Sequence, residues 1–123
     1  MELKTYLITL KNCAFFAHHG VLAEETALGQ RFFVDAELEV EAGDALETDR
    51  VDATVDYGLA FSVIETVVSE RPRKLIEALA HDIAKALCVR FKPIVRATIT
   101  VRKPAAPVPG ILDHAEVRVE YCP

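Results

Sequence analysis

From residue 34 to residue 42 the chain alternates without a break: Val34, Ala36, Leu38, Val40 and Ala42 against Asp35, Glu37, Glu39 and Glu41. A period of two with a carboxylate at every second position describes a strand with one face buried against helices and the other charged. Whatever else the chain forms has to supply that cover and tolerate that charge.

The remaining segments can be read around this strand. Tyr6, Ile8 and Leu10 alternate with Leu7, Thr9 and Lys11, predicting a first strand over residues 3–17, closed by Phe15 and Phe16. Residues 17–30 are too long for a tight hairpin and contain Gly20 and Gly29; loops of this length with mixed chemistry are often functional. Residues 43–54 are a polar connection with room for a helical turn at 44–48. Asp56 can cap a helix over 57–70, whose stripe is Ala60, Phe61, Ile64, Val67 and Val68. After a turn at 71–74, a second helix over 75–91 carries Leu75, Ile76, Leu79, Ile83, Leu87 and Phe91. Lys92-Pro93 ends it and opens a strand with Val95, Ala97, Ile99 and Val101 toward the core and Arg96, Thr98, Thr100 and Arg102 away. The proline-rich stretch 104–110 forbids further pairing. A last strand, 112–121, turns Ala115, Val117, Val119 and Tyr121 inward and Glu116, Arg118 and Glu120 outward. The order ββααββ predicts an α+β domain with helices on one face of an antiparallel sheet. Its charged face is solvated or lines a barrel shared by several subunits; from sequence alone, solvation is the simpler account.

At 123 residues with 51% hydrophobic content, the chain is predicted to be one domain, 1–123. A formal net charge of -5 argues against nucleic acid or an anionic membrane as partner. No apolar run approaches the ~20 residues that span a bilayer. Met1-Glu2-Leu3-Lys4-Thr5-Tyr6 reads as the beginning of a strand and not as a signal peptide. Cys13, Cys88 and Cys122 are scattered and odd in number, which points to a reducing cytoplasm; with His18, His19, His81 and His114 they offer no metal-ligand spacing.

Four ionisable side chains are candidates for chemistry. Ahead of Leu75 no Ser, Thr, Asp or Asn caps the second helix, so its first N–H groups lack a side-chain partner, and Glu77 places a carboxylate beside them. Donors next to an acceptor can read a flat heterocycle that carries both kinds of edge. Read locally, water on the donors and a glutamate complementing the helix dipole is the simpler account. Lys103 falls on the apolar side of its strand, costly for an unpaired ammonium unless a frayed strand end lets it reach solvent. A partly desolvated lysine can act as general acid or base near neutrality. Tyr57 opens the first helix and Glu25 lies in the long loop; each alone is explained by a wet tip or simple solvation.

Together these residues resemble the dihydroneopterin aldolases. The resemblance rests on Phe15-Phe16-Ala17-His18-His19-Gly20-Val21-Leu22-Ala23-Glu24-Glu25, on Leu28-Gly29-Gln30 leading into Val34-Asp35, and on Thr54-Val55-Asp56-Tyr57. It continues through Leu75-Ile76-Glu77-Ala78-Leu79-Ala80 and Lys103-Pro104-Ala105-Ala106-Pro107-Val108-Pro109-Gly110. It implies the tunnelling fold: ββααββ subunits whose sheets join into a sixteen-stranded barrel of four chains, two rings stacking into a homo-octamer, with active sites between subunits. It implies retro-aldol cleavage of a small pterin, 7,8-dihydroneopterin, to 6-hydroxymethyl-7,8-dihydropterin and glycolaldehyde in folate synthesis, accompanied by epimerisation to dihydromonapterin. The pterin's own C=N bond accepts the electrons, so neither cofactor, metal nor lysine Schiff base is called for.

Carried over by position, the resemblance makes Lys103 the general acid/base, Tyr57 a proton shuttle reaching in from a neighbouring subunit, and Glu25 the organiser of the hydroxylated side chain and partner of Lys103. Glu77 becomes the pterin anchor, the N–H groups near Leu75 and Ile76 meet the ring carbonyl, and Leu22, Val55 and Asp56 line the pocket. Ala17 and His18 depart from the glycine and tyrosine expected there, and His19 reads as a hydrogen-bonded structural residue shaping the turn. Two rivals share the frame: a dihydroneopterin triphosphate epimerase, for which Arg71, Arg73 and Lys74 could meet the phosphates, and a non-catalytic pterin- or purine-binding module. A zinc-dependent relative lacks clustered ligands here. A purely structural oligomer leaves Lys103 unexplained.

Overall fold

Strand β2 (Gln30–Glu41) forms where the alternation demands it, with Val34, Ala36, Leu38 and Val40 fully buried and Asp35, Glu37 and Glu39 only partly covered. The computed structural model describes residues 4–123, apart from the side chain of Ala53. The predicted strand start at residue 3, and the reading of Met1-Glu2-Leu3 as its beginning, lie outside the described residues. β2 pairs antiparallel with β1 (Thr5–Ala17) on one side and β3 (Ile94–Lys103) on the other, and β4 (Ala115–Tyr121) completes the order β1-β2-β3-β4.

Two bulges correct the simple alternation. In β1 the register slips between Leu10 and Cys13, so Lys11 and Asn12 together oppose Asp35, and Asn12 adopts φ 56°. Ahead of the slip Tyr6, Ile8 and Leu10 pack against the core; beyond it Cys13, Phe15 and Ala17 do. The Asn12 N–H donates to Asp35 Oδ1 at 2.8 Å, and Arg102 pairs with the same carboxylate. The Arg102 guanidinium, against some desolvation, holds Asp35 below the ordinary carboxylate range. In β3, Val40 faces Ile94 while Glu39 faces Arg96, leaving Val95 as the extra residue. Ile94 therefore enters the core in place of Val95, which was expected there. A bulge bends its strand and strengthens the local twist, as a sheet closing into a barrel requires.

Two long helices, α3 (Tyr57–Glu70) and α4 (Ile76–Arg90), cover the apolar face. Ala60, Ile64, Val67 and Val68 bury the α3 stripe as predicted, but Phe61 sits at its rim, partly exposed, with its ring 5.4 Å from Phe15. On α4, Ile76, Leu79, Ile83 and Leu87 point inward, and each such residue truncated to alanine would cost about 2–5 kcal/mol. Leu75 does not join them. It is the N-cap, in extended backbone, and half exposed. The long loop 17–30 contains a short helix, α1 (Ala23–Leu28), that the sequence did not announce; α2 (Ala45–Thr48) occupies the predicted helical turn, and a 3-10 turn follows at Val51–Ala53.

Candidate active site

Lys103 keeps the inward phase of Ile99 and Val101, and at the end of β3 that phase buries it to 9% exposure. Its ammonium meets the carboxylate of Glu25, which α1 brings over the same end of the sheet. Glu25 also accepts from the Gln30 amide at 3.1 Å and the Leu22 N–H at 3.3 Å. Burial alone would raise the Glu25 carboxyl; Lys103, Leu22 and Gln30 together outweigh it and hold the group below its ordinary value. Gly20 makes this possible, since a Cβ there would lie 2.3–2.6 Å from the Glu25 carboxylate.

The uncapped helix start belongs to the same end. The N–H of Gly20 donates to the Arg73 carbonyl at 2.9 Å, setting the loop beside the segment that leads into α4. Leu75 provides no side-chain cap, so the first-turn N–H groups of Ile76, Glu77 and Ala78 stay open and the exposed Glu77 stands beside them. Leu22, at the start of α1, lies partly exposed next to Glu25.

Tyr57, Asp56 and Val55 lie elsewhere. α3 runs from Tyr57 at one end of the sheet to Val68, beside His19, at the other, and its 14 residues span roughly 20 Å. Tyr57 is 69% exposed, Asp56 caps α3 through Gly58 N–H at 2.8 Å and Leu59 N–H at 3.3 Å, and the Val55 side chain is buried. These three line an open cleft of about 450 Å³ with Leu46 and Val51. One chain thus assembles Lys103, Glu25, Leu22 and the Leu75-Ile76-Glu77 start, and holds Tyr57, Asp56 and Val55 apart from them.

Arg73 is corrected from a candidate phosphate contact to a buried hub, 5% exposed. Its guanidinium donates to Asp82 at 2.8 Å, Glu70 at 2.7 Å and the Val67 carbonyl at 3.0 Å. Arg71 reaches Asp82 as well, at 3.4 Å. Inward arginines of this kind escape sequence reading because the turn around them is charged and looks wet. Gln30 was also missed; only the fold shows that the first residue of β2 faces Glu25. The four histidines go separate ways, and no group of three or more His, Cys, Asp or Glu among the described residues could hold a metal ion.

The dihydroneopterin aldolase (FolB) family model matches residues 8–120, nearly the whole chain and every block just placed. The chain belongs to the dihydroneopterin aldolase family. Among relatives in this family, a dihydroneopterin aldolase of Methylorubrum extorquens is 38% identical over 112 residues, covering 91% of this chain and 86% of the relative. That of Bacillus subtilis is 37% identical over 112 residues, covering 91% and 93%. The crystal structure of Escherichia coli dihydroneopterin aldolase, solved with neopterin, superimposes with a TM-score of 0.84 at 21% identity, covering 94% of this chain and 98% of that one. The family's tunnelling fold is therefore the fold of this subunit. Among the described residues no helix is long and apolar enough to cross a membrane.

Proposed function

We propose that the protein cleaves 7,8-dihydroneopterin by retro-aldol reaction to 6-hydroxymethyl-7,8-dihydropterin and glycolaldehyde, a step of folate biosynthesis, with epimerisation to dihydromonapterin alongside. The observation that carries this reading is the buried Lys103–Glu25 pair set beside the open, glutamate-bearing start of α4. Glu77 accepts from the exocyclic amine and a ring N–H of the pterin, and the first-turn N–H groups receive its carbonyl edge. That places the pterin side chain toward Lys103 and Glu25. There the hydroxyl proton is withdrawn, the C–C bond breaks to release glycolaldehyde, and the electron pair moves into the ring C=N, whose nitrogen takes a proton. The electron pair then returns to the carbon left behind, which takes a proton while the ring nitrogen gives its own up and the C=N re-forms; Tyr57 is the group assigned to shuttle the proton to that carbon. Because the ring supplies the electron sink, the cleavage requires neither a metal nor a Schiff base to Lys103.

Tyr57 opens α3, whereas Val68, about 16 Å further along that helix, meets His19 at the end where Lys103 lies, so a complete site draws Tyr57, with Val55 and Asp56, from a second copy. This supports a homo-oligomer with shared sites, an octamer of two stacked four-chain rings, whose barrels would enclose the charged sheet face. The free thiols of Cys13, Cys88 and Cys122 support a cytoplasmic setting. The test is incubation of purified protein with 7,8-dihydroneopterin, with and without a strong chelator, and chromatography with fluorescence detection. Chelator-insensitive formation of 6-hydroxymethyl-7,8-dihydropterin is the expected result. Binding without turnover would redirect the assignment to the triphosphate epimerase or a binding module.

A further inference from the structure

The two halves of the site ride on separate elements. Glu25 and Lys103 are held by α1 and the end of β3, whereas Glu77 and its neighbouring N–H groups belong to the start of α4. A ring fixed at Glu77 presents its side chain to Lys103 only if their separation is set, since a misplacement of ~1 Å can cost about a hundredfold in rate. No side chain caps α4 to set it.

The dipeptide His19–Gly20 joins the halves. Both polar groups of the Arg73 peptide, two residues ahead of Leu75, are held by it: the N–H donates to His19 Nδ1 at 2.9 Å and the carbonyl accepts from Gly20 N–H at 2.9 Å. The imidazole is 1% exposed and edge-on to Phe32 with ring centres 5.2 Å apart, and its Nε2–H donates to the Val68 carbonyl near the end of α3 at 2.9 Å. Only the neutral Nε2–H tautomer satisfies both neighbours, and burial depresses the pKa in that direction, aided by the charges of Arg73, His18 and Lys103. On its other side the same dipeptide leaves, at Gly20, the space that the Glu25 carboxylate fills.

We propose that His19 is a positioning residue, fixing the start of α4, and so the pterin ring, at a set distance from the Glu25–Lys103 pair through its bond to the Arg73 peptide. This rests on the retro-aldol reading above. The amide oxygen of asparagine can replace Nδ1 as acceptor for Arg73, whereas the longer glutamine reaches the Val68 carbonyl instead, so the two variants separate the two bonds. His19→Gln is expected to lower kcat for dihydroneopterin by roughly ten- to a hundredfold. Its affinity for neopterin as a non-reacting probe should change far less, and His19→Asn should keep at least about ten times the kcat of His19→Gln at comparable Tm. Equal losses in both His19 variants, or neopterin affinity falling in step with kcat in any foldable variant, would overturn the positioning role. Wild-type protein that fails to cleave dihydroneopterin would overturn the underlying reaction and this role with it.

Discussion

The two long helices begin in opposite ways. α3 starts under Asp56, whose carboxylate takes two first-turn N–H groups, and that start is finished by its own sequence. α4 starts under Leu75, which takes none, and its position is fixed from behind by the His19–Gly20 grip on Arg73. A cap would have been simple to encode, since Leu75 already has the extended backbone of an N-cap. The contrast teaches that a helix start can be finished by its own sequence or left with donors open beside a carboxylate, and that the second kind is fixed in place from another part of the chain.

That contrast can be broken from either side. The largest effect is expected from Lys103→Ala beside the open end: turnover should fall by roughly 10²- to 10⁴-fold while pterin binding largely persists, measured by steady-state kinetics against equilibrium titration. Glu77→Ala should do the reverse, weakening pterin binding by about ten- to a hundredfold for the loss of charge-assisted hydrogen bonds worth ~1.5–3 kcal/mol. If both variants lose binding equally and keep their turnover, the roles assigned to them are wrong. At the finished end, Asp56→Ala should remove about 1 kcal/mol of stability through the lost cap, seen as a lower denaturation midpoint.

The smallest effect concerns acid. The folded state holds Glu25 and Asp35 below their ordinary carboxylate values, so their contributions are complete above that range and fade as pH falls through the lowered values. The unfolded chain binds more protons in that window, and unfolding free energy should therefore decline with falling pH. In Lys103→Ala burial of Glu25 goes unopposed by the ammonium, so this decline should be shallower, as chemical denaturation across the acid range would reveal.

What the sequence revealed about this architecture followed the reach of its signals. Strand β2, the Asp56 cap and the α3 boundaries are local patterns, and they appear in the structure where the sequence puts them. The bulges at Asn12 and Val95 depend on a partner strand, so neither can be read from its own segment. Leu75 and Phe61 looked like core because a helical stripe does not say where the cover ends. Lys103 stood out as a cation on an apolar phase; Glu25, far earlier in the chain, was expected as its partner only through the family resemblance, and the fold brings the two together. The candidate roles themselves came from the family resemblance. Arg73 was misjudged because charge in a turn ordinarily faces water, and nothing in its neighbours announced the acceptors that surround it.

The two bulges follow a rule of parity. In β1 three steps from Leu10 to Cys13 match two from Ala36 to Val34, so the extra residue restores both partners to the same side of the sheet. Removing a residue of that strand outside the Lys11–Asn12 pair would turn everything beyond the cut over, sending phenylalanine toward the acids. Removing Asn12 would not: Leu10 and Cys13 would fall two apart and still face inward. The same holds for Val95, since Ile94 and Arg96 would become neighbours opposite Val40 and Glu39. Both insertions are thus neutral in the arithmetic of inside and outside. What they contribute is shape, and a sheet that had lost them could keep its oily face intact yet lose its bend.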